Sequence, residues 1–387
     1  MAGRGLPLTL EPPTYTCRGL KLVMAMKVRD EADIIELNLR HHAAQGVDEF
    51  IVTDNGSTDG TLEVLERWRD DGRLRLMSEP DAHDFRDQAH WWVTRMGRMG
   101  AELGADWVLH ADADELWWPA GGDLRDRFAT VPDGYGAVIA PRTEFVPRPD
   151  GPEPFWERLT VREARSALRP KVAHRPEPDL RLRRGAHEVD FDAKELARAG
   201  RPVLRGIRER LRDDDGRLVY APVFPARVVH VPMRSFDQYR RRVEVMLEGG
   251  FEDQARDRLR EAYEQGRLEE RYAELAVDDD AAAAGVADGS LVIDERLKRV
   301  LPSVADGRTG EPLAEAPPEE VEAERADVAF EGMRSLTRSQ QVLMRQRETL
   351  RKRVDRKDAK LAARSNDRGR HRLRDVARML RRPGQER

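Results

Sequence analysis

The stretch Leu20–Thr61, LKLVMAMKVRDEADIIELNLRHHAAQGVDEFIVTDNGSTDGT, decides the fold. LKLVMAMKV is an apolar run of strand length, and EADIIELNLRHHAAQG reads as a helix that stops at Gly46. EFIVT is a second strand, DNGSTDG a dense cluster of turn residues, and TLEVLERWRDDG a helix with Leu62, Leu65 and Trp68 on one stripe. The same alternation continues downstream: RLRLM is a short strand, residues 87–103 a helix ending near Gly104, and DWVLHA a further strand. Strands separated by helices of this length predict an α/β fold with a mostly parallel, doubly wound sheet. In such sheets ligands bind beyond the carboxyl ends of the strands.

Three of those strand ends run into charge. The first leads into Arg29-Asp30-Glu31 and the second into Asp54. The third, within DWVLHADADELWWP (Asp106–Pro119), leads into Asp112, Asp114 and Glu115. Crowded carboxylates repel unless something positive sits among them. Asp112 and Asp114, two apart, share one face of a strand, with Cα atoms about 6.5–7 Å apart. A divalent cation between them and a diphosphate offsets the repulsion and stabilises a phosphate leaving group. The structural alternative is a strand-end turn in which one Asp caps the next segment. An EF-hand reading of the Asp54 loop fails, because Asp59 stands where that loop needs glycine. The turn leaves Asp54 to accept from a ligand, and it places Asp59 to cap the helix starting near Thr61. Asp30 either forms a capping-box-like pair with Asp33 or contacts a nucleotide. His187, in RRGAHEVD, and His230, in VVHVPMRS, lie in strand-to-loop settings that lead back to the ligand edge. Neither a Rossmann glycine fingerprint nor a phosphate-loop motif occurs.

Beyond Pro119 the regularity breaks. YGAVIAPRTEFVPRP reads as a strand and a Pro-rich loop, and residues 155–232 as short strands and loops ending in ARVVHVP. Residues 235–275 read as amphipathic helix, DDDAAAAGVADG as a linker-like break, and LVIDERLKRVL as a short docking segment. The expected organisation is an N-terminal extension (1–19), a catalytic domain (20–234), a helical segment (235–315) and a charged helical or disordered tail (316–387). The spacing of Leu336, Leu343 and Leu350 supports a coiled coil only weakly.

The net charge of -4 hides an asymmetry. From Arg334 to Arg387 there are 19 Lys and Arg against 6 Asp and Glu, a surplus of 13, which leaves -17 for the remainder. The tail, rather than the body, is therefore the part expected to meet polyanions. No aromatic residue lies among its arginines, so base stacking on nucleic acid is not expected. The single cysteine, Cys17, excludes an internal disulfide framework and fits a reducing compartment. With neither an evident secretory signal nor an apolar run of spanning length, the expectation is a cytoplasmic protein whose basic tail contacts the inner face of an anionic membrane.

At these residues the sequence resembles a family 2 glycosyltransferase of the GT-A fold, a Rossmann-like sheet with helices on both faces. The likeness runs from about Leu20 to Met233, and its specificity lies in the combined order of VRDEADII, DNGSTDGT, DADELWWP and HVPMRSFDQY. The resemblance implies metal-dependent, inverting transfer of a sugar from a nucleotide-sugar donor to a hydroxyl. The acceptor would be a glycan or a lipid-linked molecule, in polysaccharide, cell-surface glycan or glycolipid synthesis. By that resemblance Arg29, Asp30, Glu31 and Asp54 line the nucleotide pocket. Asp112 and Asp114 hold Mn²⁺ or Mg²⁺ on the diphosphate, with His230 or His187 as an additional ligand. The general base would be a carboxylate downstream of the acid pair: Glu144, Glu188 or Asp190, with Glu115 supporting the metal site instead. Many members carry a second acid where this chain has Asn55.

Two rivals remain at the sequence level. A haloacid-dehalogenase-type phosphotransferase also places D-x-D after a strand, but it expects Thr or Val where this chain has Leu116, and it expects the motif near the domain start. A non-catalytic binding protein on a degenerate transferase fold is the other, and an intact D-x-D argues against it.

Overall fold

The strand Leu22–Val28 (β1) lies at the centre of the molecule: apart from Lys27, none of its residues is more than 2% exposed. A strand is buried this completely only when both faces of its sheet are covered. In the computed structural model β1 pairs in parallel with Val47–Asp54 (β2) on one side and with Trp107–Ala111 (β4) on the other. Leu74–Ser78 (β3) extends the sheet beyond β2, again in parallel. The description covers residues 19–78, 87–132, 135–176, 180–183, 186–191, 223–248, 254–307 and 317–337. The chain divides into two compact units, Met1–Gly332 and Met333–Arg387, and the architecture here is that of the first.

Helices Ile35–Ala44 (α1), Thr61–Asp70 (α2) and Asp87–Glu102 (α3) connect the four parallel strands. This is the expected doubly wound order. Gly46, at φ +90, ends α1 in a conformation that side chains resist, which lets the chain turn directly into β2. Gly100 lets α3 press against β4, since a Cβ there would lie 2.2 Å from a methyl of Val108.

After β4 the chain turns back as Glu115–Pro119 (β5), passes through Leu124–Ala129 (α4) and adds Ala137–Ala140 (β6) and Arg142–Glu144 (β7). The short segments Phe155–Arg158 (α5) and Val161–Glu163 (β8) precede Lys171–His174 (β9), and Leu180–Arg183 (β10) with Glu188–Phe191 (β11) forms a hairpin. The strand β9 enters the main sheet antiparallel, completing the order β3-β2-β1-β4-β9-β6. Ala226–His230 (β12) forms the middle of a second sheet, antiparallel to β5 and parallel to β7. Trp107, Trp117 and Phe128 pack beside the turn between β4 and β5, with Trp107 and Phe128 edge-on at 5.3 Å.

Three expectations for the second half change. Residues 235–275 are not one amphipathic helix but three: Phe236–Glu248 (α6), Gln254–Glu264 (α7) and Leu268–Leu275 (α8). They share a separate small core of Tyr239, Val243, Ala262, Leu268 and Tyr272. The segment read as a linker is a helix, Asp279–Asp288 (α9). Asp278 caps it by accepting from the N–H of Ala281 at 2.8 Å, and the alanine run that follows has the highest helix propensity available. The docking segment is a strand and a helix: Leu291–Ile293 (β13) pairs with β8, and Arg296–Ala305 (α10) packs on α1 and α5.

The first unit also takes in residues assigned from sequence to the tail. Residues 318–332 are helical, with Val328 fully buried. Arg227 of β12, 1% exposed, donates to Glu324 (2.5 and 3.0 Å), to Asp327 (2.6 Å) and to Thr143 (2.9 Å). Arg296 donates to Asp294 and Glu324. A buried guanidinium is stable only with such partners, so this helix belongs to the body. Leu343, Leu350 and the basic run after Thr337 lie outside the described residues.

Candidate active site

Parallel pairing brings the carboxyl ends of β1, β2 and β4 to one edge of the sheet. Val28 is level with Asp54, and Met26 with Ala111. Arg29–Glu31, Asn55 and Asp112–Asp114 therefore line one cleft of about 820 Å³. Its opposite wall is α6, which contributes Gln238, Arg241, Arg242 and Met246.

The turn between β4 and β5 gives each acid a different task. Glu115 is fully buried and accepts from Lys171 at 2.9 Å, from the backbone N–H of Asp112 at 2.8 Å and pairs with Arg142 at 3.0 Å. It braces the turn, and it is not on the cleft surface. The Asp112 side chain is 55% exposed and accepts from Lys171 at 2.8 Å. Desolvation by the cleft walls opposes its charge, but the Lys171 ammonium prevails and holds the carboxyl below its usual range. Asp114 is 5% exposed, with its Oδ2 3.4 Å from His230 Nε2 and 3.1 Å from an Arg242 nitrogen. Burial again favours the neutral acid, and His230 with Arg242 and Arg234 overcomes it, so Asp114 lies well below the ordinary value. His230 shows the reciprocal effect: burial disfavours its proton, yet Asp114 and then Glu144 raise it to about 9. Glu144 Oε2 stands 3.8 Å from His230 Nδ1, its side chain 26% exposed to the cleft. Partial burial would raise its pKa, but His230 and the neighbouring arginines lower it, so it is a carboxylate at neutral pH.

At the nucleotide end expected from sequence, the loops are tied to each other. Asp30 has φ +54, unusual for a residue with a side chain, and accepts from the N–H of Thr58 at 2.7 Å. It therefore anchors the β2–α2 loop instead of capping α1. Asp33 does not complete a box with it either, but accepts from Arg234 at 2.7 and 3.0 Å. Asp59 accepts from the N–H groups of Thr61 and Ala32, joining the start of α2 to the β1–α1 loop. Asp54 is 1% exposed and accepts from the N–H groups of Gly56 and Ser57 at 3.0 and 3.2 Å, while the next residue, Asn55, lines the cleft. The buried Oδ1 of Asn55 has no hydrogen-bond partner among the described residues. Glu31 accepts from Arg234 at 2.5 Å, and burial pushes its carboxyl upward against that pairing. Arg29 forms ion pairs with Asp30 and with Glu248 of α6.

His187 donates from Nδ1 to the carbonyl of Pro170 at 2.8 Å, which leaves Nε2 as its acceptor nitrogen. Burial, then the nearby Lys171, lowers it to about 3. Glu188 and Asp190 stand on β11, and their side chains lie outside the described residues. Sequence reading overlooked Lys171, Arg142, Arg234 and Arg242, each tens to hundreds of residues away from the acid it pairs with. No local pattern marks such partners in a chain that is 36% charged. The nearest available signal was Arg234 inside HVPMRSFDQY, a segment singled out for its histidine.

Carboxylate oxygens and an imidazole nitrogen are donors that Mn²⁺ or Mg²⁺ accepts. Asp114 and His230 present such a pair at 3.4 Å once a cation displaces the proton that Asp114 and Glu144 hold on the imidazole, with the exposed carboxylate of Asp112 in the same cleft. Among the described residues no group of three or more His, Cys, Asp or Glu encloses a metal unaided. These residues offer part of a coordination shell, which oxygens of a bound ligand would have to complete.

No family model matches the chain, and no curated protein matches it. Solved structures do. The 1-349 fragment of S. aureus TarS in complex with UDP is 14% identical, covering 74% of this chain and 92% of that one, at a TM-score of 0.34. The same fragment with UDP-GlcNAc is 12% identical over 80% and 90%, at 0.33. Glucosyl-3-phosphoglycerate synthase from Mycobacterium tuberculosis, crystallised with Mn²⁺, UDP and glucosyl-3-phosphoglycerate, is 21% identical over 35% and 50%, at 0.23. Likenesses at such TM-scores assign no function.

Proposed function

We propose that this protein is a metal-dependent, inverting glycosyltransferase that moves a sugar from a nucleotide-sugar donor to a hydroxyl of a glycan or lipid-linked acceptor. The observation that supports this reading is the gathering of Asp112, Asp114, His230 and Glu144 in one cleft at the carboxyl edge of a parallel sheet. Asp114 and His230, with Asp112 beside them, would hold Mn²⁺ or Mg²⁺, and the bound cation would neutralise charge on the departing diphosphate. Lys171 keeps Asp112 ionised, and Glu115 keeps Lys171 in place. The nucleotide would lie over Arg29, Asp30 and Glu31, with Asn55 offering its unpaired amide oxygen and Asp54 shaping the loop beneath. Glu144 is the base that fits best: it lies in the cleft, it is charged at neutral pH, and it accepts the acceptor hydroxyl's proton as that oxygen attacks the anomeric carbon. Glu188 and Asp190 remain the other candidates, and His187 a further ligand beside Asp112.

Among the described residues no helix is long and apolar enough to cross a membrane. The cytoplasmic location, and attachment to anionic lipid through the basic tail, belong to this same proposal. It is tested by a thermal-shift screen of nucleotide sugars with and without Mn²⁺, followed by an assay of metal-dependent donor hydrolysis. A ligand of the native state raises the melting temperature by mass action. The proposal fails if no nucleotide sugar shifts the melt in either condition.

A further inference from the structure

The main-chain carbonyls of the acid turn are each accounted for. Asp112 O accepts from the N–H of Glu115 at 3.1 Å, and Asp114 O from the N–H of Val231 at 2.9 Å. The two that flank Asp114, those of Ala113 and Glu115, both accept from one side-chain amide, Asn38 Nδ2 of α1, at 2.8 and 2.9 Å. Asn38 is oriented in turn by His42. The Nδ1 of His42 lies 2.8 Å from Asn38 Oδ1 and 2.9 Å from Asn38 O, both acceptors, so Nδ1 carries the hydrogen. Its Nε2 is then free to accept the N–H of Trp117, at 2.9 Å. Asn38 and His42 are 0% exposed, and neither lines the cleft.

We propose that Asn38 and His42 are positioning residues for the acid turn: by fixing the 113–114 and 115–116 peptide planes, with Val231 holding the one between, they set the geometry with which Asp112 and Asp114 meet a metal-bound diphosphate. The inference rests on the function proposed above. Groups that orient metal ligands from behind typically change metal affinity or activity by about 10–100-fold when altered. Packing alone would not need a donor here, whereas two buried carbonyls do.

The decisive variant is Asn38→Asp, which keeps the shape and turns a carboxylate oxygen toward the two carbonyls. Mn²⁺ is titrated, with free Mn²⁺ followed by its EPR signal, alongside whichever of UDP, GDP, CDP or dTDP most raises the wild-type melting temperature. Asn38→Asp, at a temperature where circular dichroism shows it folded, is expected to bind Mn²⁺ at least about 10-fold more weakly. His42→Leu, which offers Asn38 no donor and Trp117 no acceptor, is expected to weaken Mn²⁺ binding by about 10-fold, and His42→Gln, which keeps both, to restore it to within about threefold of wild type; binding by a folded His42→Leu within about threefold of wild type removes His42 from the role. If Asn38→Asp lowers the melting temperature but binds Mn²⁺ within about threefold of wild type, its role is structural only and the inference is overturned. If Asn38→Asp does not fold, Asn38→Ser, with one remaining donor, carries the same comparison. A wild-type protein that binds no Mn²⁺ with any of the four nucleotides refutes the proposed function instead. The brace is then judged by deuterium exchange: amides of Asp112–Trp117 must exchange at least about 10-fold faster in the variant while β1 is unchanged, and equal rates overturn it.

Discussion

Ending the chain after Leu313 removes the helix of residues 318–332 and with it Glu324 and Asp327. Among the described residues Arg227, 1% exposed in the middle of β12, then keeps as hydrogen-bond partner only Thr143, and Arg296 keeps Asp294 and the Trp118 ring beneath it. Removing the partners of a buried charge typically costs about 3–5 kcal/mol. Glu324 and Asp327 are themselves 18% and 41% exposed, so the lower end of that range is expected from the ion pairs. Loss of the packing around Val328 adds about 1–2 kcal/mol. A total near 4–5 kcal/mol is a large share of a stability of about 5–15 kcal/mol, and for a body of this size it corresponds to a fall in Tm of roughly 6–8 °C. Ending the chain after Gly332 leaves every one of these contacts in place and is expected to change Tm by less than about 3 °C. Urea unfolding and differential scanning calorimetry of the two truncations and the full chain provide the comparison. Adding Arg227→Met to the shorter form should recover part of the loss, because an apolar side chain needs no partner there. If the form ending at Leu313 melts within about 3 °C of the full chain, the ion-pair reasoning is wrong.

Asp114→Asn removes a metal ligand and also the counter-charge of His230, so donor turnover is expected to fall by more than about 100-fold with the fold retained; turnover near wild type at limiting Mn²⁺ would exclude the site. Asp54→Ala leaves the N–H groups of Gly56 and Ser57 unpaired and should weaken binding of the free nucleoside diphosphate, measured by calorimetry. Unchanged nucleotide affinity would remove Asp54 from the nucleotide end. His41 and His174 are buried and neutral, each lowered to about 4 by burial, and burial with the neighbouring His41 holds His42 well below its ordinary value. Their folded-state values lie below that of the unfolded chain, so the stability they contribute is complete above about pH 6.5 and is lost as pH falls toward 4, by about 1.4 kcal/mol per pH unit for each. A urea midpoint that does not change between pH 7 and pH 4.5 would contradict this. Deleting Met333–Arg387 should reduce sedimentation with anionic vesicles at low salt and leave it unchanged on neutral ones, and equal binding would dismiss the membrane role.

The first half of the fold was legible because apolar runs, helical stripes and turn residues there agree with one another. From β1 to β4 each element lies close to where its pattern places it. Legibility ended where stability comes from partners distant in sequence. The helix of residues 318–332 reads as polar tail until Arg227, 97 residues before Glu324, is seen to need it. The α9 segment was misread for another reason: DDD and two glycines suggested a break, and the capping role of Asp278 was not weighed against the alanines. At the site, the strand-end acids were visible as local runs. Which of them would face solvent was not, because Glu115 and Asp112 differ only in which way the turn directs each side chain. Asn38 and His42 were invisible as a pair, since a helix sequence does not say which strand its polar face will meet.

The order in which the chain is made has a consequence for the acid turn. Strands β1 to β4, the parallel part of the main sheet, are complete once residue 111 has been synthesised. Asp114 waits for Arg242, 128 residues later, and for His230 shortly before it. At about 5–20 residues per second that interval is roughly 6–25 s. Asp112 and Glu115 gain Arg142 and Lys171 earlier in that interval, whereas Asp114 has neither of its cationic partners until its end. The amide of Asn38 and the imidazole of His42 belong to the part already made, so the backbone of the turn can be shaped before its charges are balanced.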